Sequence, residues 1–349
     1  MFFSNKKLMA LDIGTSSVKL AELDFTSRGP ILRKFAVSPL SPNMVQGGEI
    51  AEPQAVANIV RDLVAVSKCK RKHVVSGLWG NGVVVKKITM PKMEQRIIAE
   101  QLKWEAEQYI PFGIDEVSIE YHILANRTSA ENMEVLLVAA KQDYLFRLIE
   151  AVESADLKCT VVDVSGLALA NCFELNYGVR EKPVALINIG SGVTSFVVVD
   201  RGEVTFYRDI AIGGSFYTSE ISKVMGVSPH EAESLKISAS IGQEVPDEVN
   251  SIIRSTNDRV VDEIRNSIEF YSAASGGAAI TRFFFCGGSI YLPGLVEEIS
   301  KANSIPYEIL DPFQKILYDT KVFPFDYIEQ IKAISPVVLG LALRKADDK

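Results

Sequence analysis

Two stretches of the chain, MALDIGTSSVKLAEL at residues 9–23 and ALINIGSGVTSFVVV at residues 185–199, decide the fold. They align without a gap when Asp12 is placed on Asn188, so the chain repeats itself about halfway along its 349 residues. Each copy has the pattern of an apolar strand, a turn of glycine and small hydroxyl residues, and a second, β-branched strand. A third apolar strand follows each copy. The repeat predicts two related domains that each open with a three-stranded meander.

The segments that follow the meanders have helical spacing. Residues 53–68 place apolar side chains three and four positions apart, with Pro53 where a first-turn proline belongs. Residues 215–224 and 229–238 have the same period in the second half. These segments predict helices that cover the two meanders.

One region between the two copies, residues 86–158, has no counterpart in the second half. It alternates strand patterns with helical patterns at 94–110 and 143–155. In the first of these helices Ile98, Leu102, Ala106 and Tyr109 share one stripe, which is typical of core packing but also of a partner surface. We therefore predict an inserted α+β subdomain in the first half.

Composition excludes several classes of protein. An apolar fraction of 47% and a charged fraction of 23% are those of a globular chain. A net charge of -7, from 37 basic and 44 acidic side chains, argues against a nucleic-acid partner, which would require a basic excess.

Targeting and metal-binding signals are also missing. The start MFFSNKK is too short in apolar residues for a signal peptide, no window could span a bilayer, and the end LALRKADDK lacks an amphipathic helix. We expect a cytoplasmic protein without its own membrane anchor. The cysteines and histidines are isolated from one another, which favours reduced thiols and argues against a zinc site: Cys69, Cys159, Cys172, Cys286, His73, His122 and His230.

The turns of the repeat have the residues that a phosphate site requires. Glycines let backbone N–H groups approach an anion, hydroxyls add donors, and Lys19 on the exit strand adds a positive charge. The first turn alone is equally well explained as a plain tight hairpin. The second copy favours phosphate binding, because two such turns can face each other across a cleft and hold one polyphosphate.

Two further groups of residues have weaker signals. The glycine cluster from Gly287 to Leu295 follows an apolar strand and precedes a helix, a position that admits a phosphate or a flat ring; a crowded strand-to-helix turn would look the same. Glu233 and Lys236 lie three apart on a helix, which is also common in exposed ion pairs.

In order, these stretches resemble the five motifs of the actin-like ATPase superfamily. They are phosphate 1 (12–19), connect 1 (162–173), phosphate 2 (188–194), adenosine (287–295) and connect 2 (335–342). Within it the chain resembles the PilM family of type IV pilus assembly proteins, in EAEQYIPF at 105–112, VVDVSGLALANCFELNYG at 161–178 and HEAESLK at 230–236. The resemblance implies two ribonuclease-H-like domains around a nucleotide cleft.

The resemblance also implies domain boundaries. These are 1–85, 159–183 and 335–349 for the first ribonuclease-H-like domain, 86–158 for an inserted partner-binding subdomain, 184–222 and 281–334 for the second domain, and 223–280 for a helical nucleotide-contacting subdomain.

The implied ligands are ATP and Mg²⁺, and each motif residue receives a role. Asp12 would reach Mg²⁺ through water, and Asp12, Asn188 and Ser165 occupy the catalytic positions. The nucleotide-binding residues would be Gly14, Thr15, Ser16, Ser17, Lys19, Gly190, Ser191, Gly192, Val193, Gly213, Gly214, Glu233, Lys236, Gly287, Gly288 and Ser289. Relatives commonly have Asp at the position of Asn188 and an acidic or amide residue at that of Ser165, so we expect ATP binding with slow hydrolysis.

The implied function is that of a nucleotide-controlled adaptor at the inner membrane. The resemblance implies that its partner is the cytoplasmic tail of a PilN-like inner-membrane protein, with pilus motor ATPases and self-association as further contacts. Two alternatives stay open: an FtsA-like filament-forming division protein, and a small-molecule kinase of the same superfamily, for which Asp163 would be the candidate base.

Overall fold

The computed structural model describes residues 7–125 and 131–346. The predicted domain ends at 1–6 and 347–349, and residues 126–130 of the predicted insertion, lie outside the described residues. The elements of the first half are β1 (Met9–Ile13), β2 (Ser17–Thr26), β3 (Gly29–Pro39), β4 (Val45–Gln46), β5 (Glu49–Ile50), α1 (Pro53–Val66), β6 (His73–Leu78), β7 (Val83–Pro91), α2 (Gln95–Ala106), β8 (Val117–Ile123), β9 (Asn132–Lys141), α3 (Gln142–Glu153), β10 (Lys158–Val164) and α4 (Ser165–Tyr177). Those of the second half are β11 (Val184–Ile189), β12 (Thr194–Asp200), β13 (Glu203–Ile210), α5 (Gly214–Met225), α6 (Pro229–Ser240), α7 (Asp247–Ala274), β14 (Phe283–Cys286), α8 (Leu295–Asn303), β15 (Tyr307–Ile309), α9 (Phe325–Lys332) and α10 (Pro336–Ala342).

The two halves form five-stranded sheets of the same design. The first sheet has the order β10-β6-β1-β2-β3 and the second has the order β13-β12-β11-β14-β15. The first meander strand pairs antiparallel with the next one, β1 with β2 and β11 with β12. On its other side it pairs parallel with a later strand, β1 with β6 and β11 with β14. The sequence repeat is therefore a structural repeat, and the prediction of two related α/β domains is confirmed.

Local signals explain where several helices begin and end. α1 begins with Pro53, which suits a first helical turn because it has no N–H to satisfy. α6 follows Ser228, whose hydroxyl accepts a hydrogen bond from the Glu231 amide at 3.2 Å. α5 ends at Gly226, which has a left-handed conformation with φ of 68°. These three helices cover the segments that helical spacing predicted.

Two helices, α4 and α10, lie between the sheets. α4 packs against β12 and β13 of the second sheet, and α10 packs against β1 and β2 of the first. The helices cross closely at Gly340, where a side-chain carbon would come within 1.8 Å of the Ala168 carbonyl oxygen. One large apolar core therefore runs from the first sheet through these helices to the inner face of the second, where Phe173 of α4 contacts Phe284 of β14. The other face of the second sheet packs under α5, α7 and α8.

The insertion has its own sheet, β7-β9-β8, and its own core beneath α2. α2 ends at Ala106, whereas the sequence predicts a helix that continues to residue 110. The chain turns after Ala106, so Tyr109 leaves the buried stripe and is 44% exposed, while Ile98 and Leu102 are buried as predicted.

The helix that follows, α3, packs outside the insertion's core. Its buried residues Leu148, Ala151 and Val152 belong to the first domain's core, and the helix lies against α1. β10 then joins the first sheet beside β6. The predicted insertion of 86–158 therefore contains a helix and the start of a strand that pack with the first domain. Helical spacing shows that α3 has an apolar face, but it does not show which sheet that face covers.

The chain between β15 and α10 returns to the first sheet. Leu317 forms a bridge to Ile31 on β3, and the Leu32 amide donates to the Leu317 carbonyl oxygen at 2.7 Å. Ile316 and Phe323 are buried in the first core. The end of the range predicted for the second domain, 281–334, is therefore packed against the first.

Candidate functional site

A cavity of about 550 Å³ lies between the turns that join β1 to β2 and β11 to β12. Both domains and α6 contribute to its walls. The predicted site residues that line it are Asp12, Gly14, Thr15, Ser16, Ser17, Lys19, Ser165, Asn188, Gly190, Ser191, Gly192, Val193, Glu233, Lys236, Gly287, Gly288 and Ser289. The fold therefore brings together residues more than half the chain apart.

The first turn has one charged pair at its base. Gly14 closes the turn by donating its amide to the Ser17 carbonyl oxygen at 3.0 Å. Asp12 and Lys19 are cross-strand partners, and the Lys19 ammonium lies 3.0 Å from an Asp12 carboxylate oxygen. Their side chains are only 11% and 14% exposed, so this pair is partly desolvated and less screened by solvent than a surface ion pair.

The second turn repeats this backbone geometry and faces the first. The Gly190 amide donates to the Val193 carbonyl oxygen at 2.9 Å. At Gly192 a side-chain carbon would come within 2.3 Å of the Thr15 hydroxyl oxygen, so the two turns meet at this point. A side chain at position 192 would therefore require Thr15 to shift.

Gly213 and Gly214 lie behind the second turn and do not line the cavity. The Gly214 amide donates to the Gly190 carbonyl oxygen at 2.9 Å. A side-chain carbon at Gly213 would come within 2.5 Å of the Ser191 carbonyl oxygen. The structure thus shows both glycines supporting the second turn, and their predicted contact with the nucleotide stays a prediction.

On α6, Lys236 and Glu233 have different surroundings. Lys236 is buried, and its ammonium lies 2.7 Å from a Glu233 carboxylate oxygen, 2.9 Å from the Thr218 hydroxyl and 3.0 Å from the Gly214 carbonyl oxygen. Its three donors are therefore used within the protein. Glu233 also accepts a hydrogen bond from Thr218, yet 45% of its side chain is exposed to the cavity side. Glu233 is thus the member of the pair with room for a ligand hydroxyl.

The third glycine loop is joined to the second turn. Gly287 has φ of 98°, and a side-chain carbon there would come within 2.3 Å of the Ile189 carbonyl oxygen. The Ser289 hydroxyl donates to the Gly190 carbonyl oxygen at 3.0 Å. These contacts hold the glycine cluster against the end of β11, as a rigid wall of the cavity.

The apolar walls of the cavity are absent from the site residues that the sequence predicts, although four of the wall residues lie within the adenosine and connect 2 ranges. They consist of Trp79, Ile237, Ile241, Tyr291, Leu292, Ala333, Ile334, Pro336 and Val337. Ile237 and Ile241 are 50% and 63% exposed, although they are large apolar residues. Their spacing of four and eight from Glu233 places Ile237 on its face of α6 and Ile241 just after the helix on the same side, which is a signal that the sequence contained.

Asn188 and Ser165 lie at the cavity with different partners. Asn188 accepts from the Cys286 thiol at 3.7 Å, and burial raises the pKa of that thiol, which keeps it a donor. The Ser165 hydroxyl is buried, and among the described residues it has no hydrogen-bond partner. Neither residue brings a charge to the cavity.

The donor set bears on the predicted magnesium ion. Within the described ranges, no group of three or more His, Cys, Asp or Glu side chains is arranged to hold a metal. Among the described residues that line the two turns, Asp12 presents the carboxylate. Because Mg²⁺ keeps several waters and binds through one or two carboxylates plus substrate phosphates, these residues fit an ion that enters with a nucleotide.

No helix in the described parts of the chain combines the length and apolar content needed to cross a bilayer.

Comparisons with known proteins agree with this geometry. The family model described as type IV pilus assembly protein PilM matches residues 10–346. A chain in a solved PilM-PilN type IV pilus biogenesis complex is 26% identical, with a TM-score of 0.88, over 99% of this chain and 100% of that chain. The cell division protein FtsA of Streptococcus pneumoniae is 25% identical, over 87% of this chain and 75% of its own length. The ethanolamine utilization protein EutJ from Carboxydothermus hydrogenoformans is 16% identical over 96% of this chain and 89% of its own, and its TM-score of 0.59 indicates a shared fold alone.

Proposed function

The chain belongs to the type IV pilus assembly protein PilM family, and from this membership we propose that it is an ATP-binding adaptor whose bound nucleotide sets the conformation offered to a membrane partner. Its site of action is the cytoplasmic face of the inner membrane, where it links the assembly complex to the pilus motor. Beyond family membership, the observation that carries the proposal is the close approach of the first and second turns at Thr15 and Gly192.

The opposed turns support binding of a polyphosphate. Each is closed by the same amide-to-carbonyl hydrogen bond, at Gly14 and at Gly190, and each is made of small residues. Small residues allow the backbone N–H groups of both turns to approach phosphate oxygens closely. Lys19 would add a charge to the phosphates, and Asp12 would hold the hydrated Mg²⁺ that they bring. When bound, Mg²⁺ would offset charge on the terminal phosphates.

The remaining walls support binding of a nucleoside. Glu233 has an exposed carboxylate that accepts hydrogen bonds, which suits ribose hydroxyls. Ile237 and Ile241 on one side and Ile334 on another give apolar surfaces to a flat base. Because Gly287 and Gly288 have no side chains, they leave space for the base between these apolar surfaces.

We infer slow hydrolysis from the catalytic positions. A charged group that positions water or stabilises a developing charge commonly contributes about 100-fold or more to a rate. Asn188 is neutral, and Ser165 is too short to reach a water at the terminal phosphate in the way a Glu or Gln would. ATP is therefore expected to bind and persist, and the bound nucleotide, more than turnover, determines the conformation.

The inserted subdomain is the proposed site for the partner. The related solved structure is described as a complex of PilM with PilN. Here β8 is an edge strand of the insertion's sheet, and an edge strand accepts an extended peptide through its backbone. We assign this region to the cytoplasmic tail of a PilN-like protein. Contacts with motor ATPases and between copies of the chain are further expectations of the same proposal.

The second candidate function is an FtsA-like filament former, which the Streptococcus pneumoniae relative favours. Sedimentation with Mg-ATP separates the two functions, because a filament former pellets and an adaptor does not. The kinase alternative has less support, since its candidate base Asp163 is ion-paired with Arg344 at 3.4 Å and only 7% exposed.

The proposal is tested by thermal unfolding with and without Mg-ATP. A ligand at a hundredfold excess over its Kd adds about 2.7 kcal/mol to the free energy of unfolding, so the melting temperature should rise. The double variant Lys19→Ala with Gly190→Val should not show this ATP-induced rise in melting temperature. Lys87→Ala is the matched control, because it removes an ion pair of similar length and exposure, with Glu134 at 2.8 Å, in the insertion. An ATP-induced rise that persists in the double variant would exclude the two turns as the binding site.

A further inference from the structure

Asp209 of β13 stands at the end of a row of side chains that leads into the cavity. It is the cross-strand partner of Ser195 on β12, and Asn188 on β11 is the next partner of Ser195. Side chains that face each other across paired strands lie on the same side of a sheet. Ser195 and Asn188 line the cavity. Asp209 is therefore connected to the cavity although it does not line it.

The Asp209 carboxylate also joins the two domains. One of its oxygens accepts hydrogen bonds from the Gly80 amide at 2.6 Å and from the Tyr207 hydroxyl at 2.7 Å. Gly80 belongs to the first domain, in the turn between β6 and β7, whereas Tyr207 and Asp209 are on the edge strand of the second sheet. The Tyr207 ring also packs on Gly166 at the start of α4, where a side-chain carbon would come within 2.0 Å of the ring.

The turn that presents the Gly80 amide is tightly constrained. Gly80 has φ of 84°, and a side-chain carbon there would come within 2.2 Å of the Gly47 carbonyl oxygen. The Asn81 amide donates to the same Gly47 oxygen at 2.9 Å, and the Val83 amide donates to the Gly80 carbonyl oxygen at 3.1 Å. Val83 is the first residue of β7. Movement of this turn would therefore move the strand with which the insertion begins.

The same turn contacts the cavity through Trp79. Its indole N–H donates to the Ile13 carbonyl oxygen at 2.9 Å, at the point where β1 enters the first turn, and its ring lines the cavity. Asp209 thus holds a segment that contacts the first turn at one end and the insertion at the other.

The carboxylate is held by neutral donors. In the part of the chain that the structure describes, no Lys, Arg or His forms an ion pair with it. Burial raises the pKa of Asp209, although the hydrogen bonds from Gly80 and Tyr207 oppose the rise. A buried carboxylate without a cation depends on its hydrogen bonds, so loss of the Gly80 amide would be costly unless water replaces it.

We propose that Asp209 is a positioning residue that couples the cavity to the inserted subdomain. It does so by holding the Gly80 turn next to the cross-strand row of Ser195 and Asn188. The inference rests on the proposed nucleotide binding. A nucleotide that draws the second turn toward the first strengthens the contact of Asp209 with Gly80, and the root of β7 is then fixed.

Hydrogen exchange of the full chain, with and without Mg-ATP, tests this coupling. In the natural chain ATP should slow exchange in the turns at 13–17 and 189–193, and also at 80–91, where about tenfold slowing is in the range of coupled sites. In Asp209→Ala the two turns should stay protected by ATP, while the effect at 80–91 falls to about twofold or less. Asp209→Asn keeps an oxygen that accepts from Gly80 and should restore most of the effect.

Arg208→Ala is the matched control. Arg208 is the neighbour of Asp209 on β13, and its ion pair with Glu263 at 2.8 Å lies within the second half. This variant should keep the natural response at 80–91. If Asp209→Ala does not fold, the same measurement is made on Asp209→Ser, because the short serine side chain cannot reach the Gly80 amide.

The outcomes separate the coupling from nucleotide binding. ATP protection at 80–91 that survives in Asp209→Ala or Asp209→Ser overturns the coupling, and so does a natural chain whose turns are protected by ATP while 80–91 is unchanged. A natural chain in which ATP neither protects the turns nor raises the melting temperature overturns both proposals.

Discussion

The two turns at the cavity have the same backbone but different charges. In the first, the cross-strand pair at the base is Asp12 with Lys19; in the second, the equivalent pair is Asn188 with Ser195. Both turns are closed by the same hydrogen bond, at 3.0 Å and 2.9 Å. The duplication has kept the geometry that admits phosphate and has placed the charges on one side. Under the proposed function, the first turn would hold the ion and the terminal phosphate, and the second would provide backbone contacts and the link through Ser195.

The largest expected difference between the two turns is in ATP affinity, when Lys19 of the first pair and Ser195 of the second are each replaced by alanine. Lys19→Ala removes a phosphate contact and leaves the mostly buried Asp12 carboxylate without its cation, which should weaken ATP binding about 100-fold or more. Ser195→Ala removes only a neutral hydroxyl and should have a much smaller effect. Titration calorimetry with Mg-ATP measures both. Equal losses in the two variants would mean that the turns share the charge-binding role.

Making the second turn resemble the first should accelerate hydrolysis. Asn188→Asp with Ser165→Glu adds a carboxylate near the ion and a side chain able to orient water, which we expect to raise turnover about 100-fold. Asn188→Asp alone is the control that separates the two effects. The measurement is phosphate release at saturating ATP. Brisk turnover by the natural chain, or no gain in a double variant that binds ATP normally, would contradict the assignment.

Making the first turn resemble the second should affect Mg²⁺ more than ATP itself. Asp12→Asn removes the carboxylate expected to hold the hydrated ion, and outer-sphere partners of this kind typically change metal affinity by about 10- to 100-fold. The Mg²⁺ concentration that gives half-maximal ATP binding should rise accordingly. An unchanged Mg²⁺ requirement would place the ion elsewhere.

The smallest expected effect is the pH dependence of stability that Asp209 produces. Burial raises the pKa of Asp209, so ionising this group disfavours the folded state. Its contribution to stability is complete below the unfolded-state pKa and declines as pH rises through the folded-state pKa. The unfolding free energy of Asp209→Asn minus that of the natural chain should therefore be more positive at neutral pH than at acidic pH. Urea unfolding at both pH values checks the sign, and the opposite sign would show that the hydrogen bonds outweigh the cost of burial.

The repeat explains how much of this site the sequence predicts. The alignment of Asp12 on Asn188 predicts both meanders and both turns, and the structure brings the turns together. Residues 53–68, 215–224 and 229–238 follow the helical period closely enough to be recognised. These signals are local, because each depends on the spacing of neighbouring residues.

The remaining features depend on contacts between distant segments. Helical spacing does not reveal that α3 packs on α1, or that Leu317 bridges to Ile31. The contacts of Gly213 and Gly214 with the second turn join segments more than 20 residues apart, so local spacing does not reveal them. Asp209 has no motif, since its proposed role depends on the Gly80 amide 129 positions away.

The most direct test of a nucleotide-controlled adaptor is the affinity of the chain for its partner's tail with and without ATP. The probe is a peptide with the N-terminal cytoplasmic segment of the PilN-like protein from the same organism, titrated by fluorescence anisotropy. The account predicts that Mg-ATP changes the Kd of this peptide by about tenfold, the range of coupled sites, and that the peptide changes the Kd of ATP by the same factor. Equal peptide affinities for the nucleotide-free chain and for a chain saturated with ATP would contradict it.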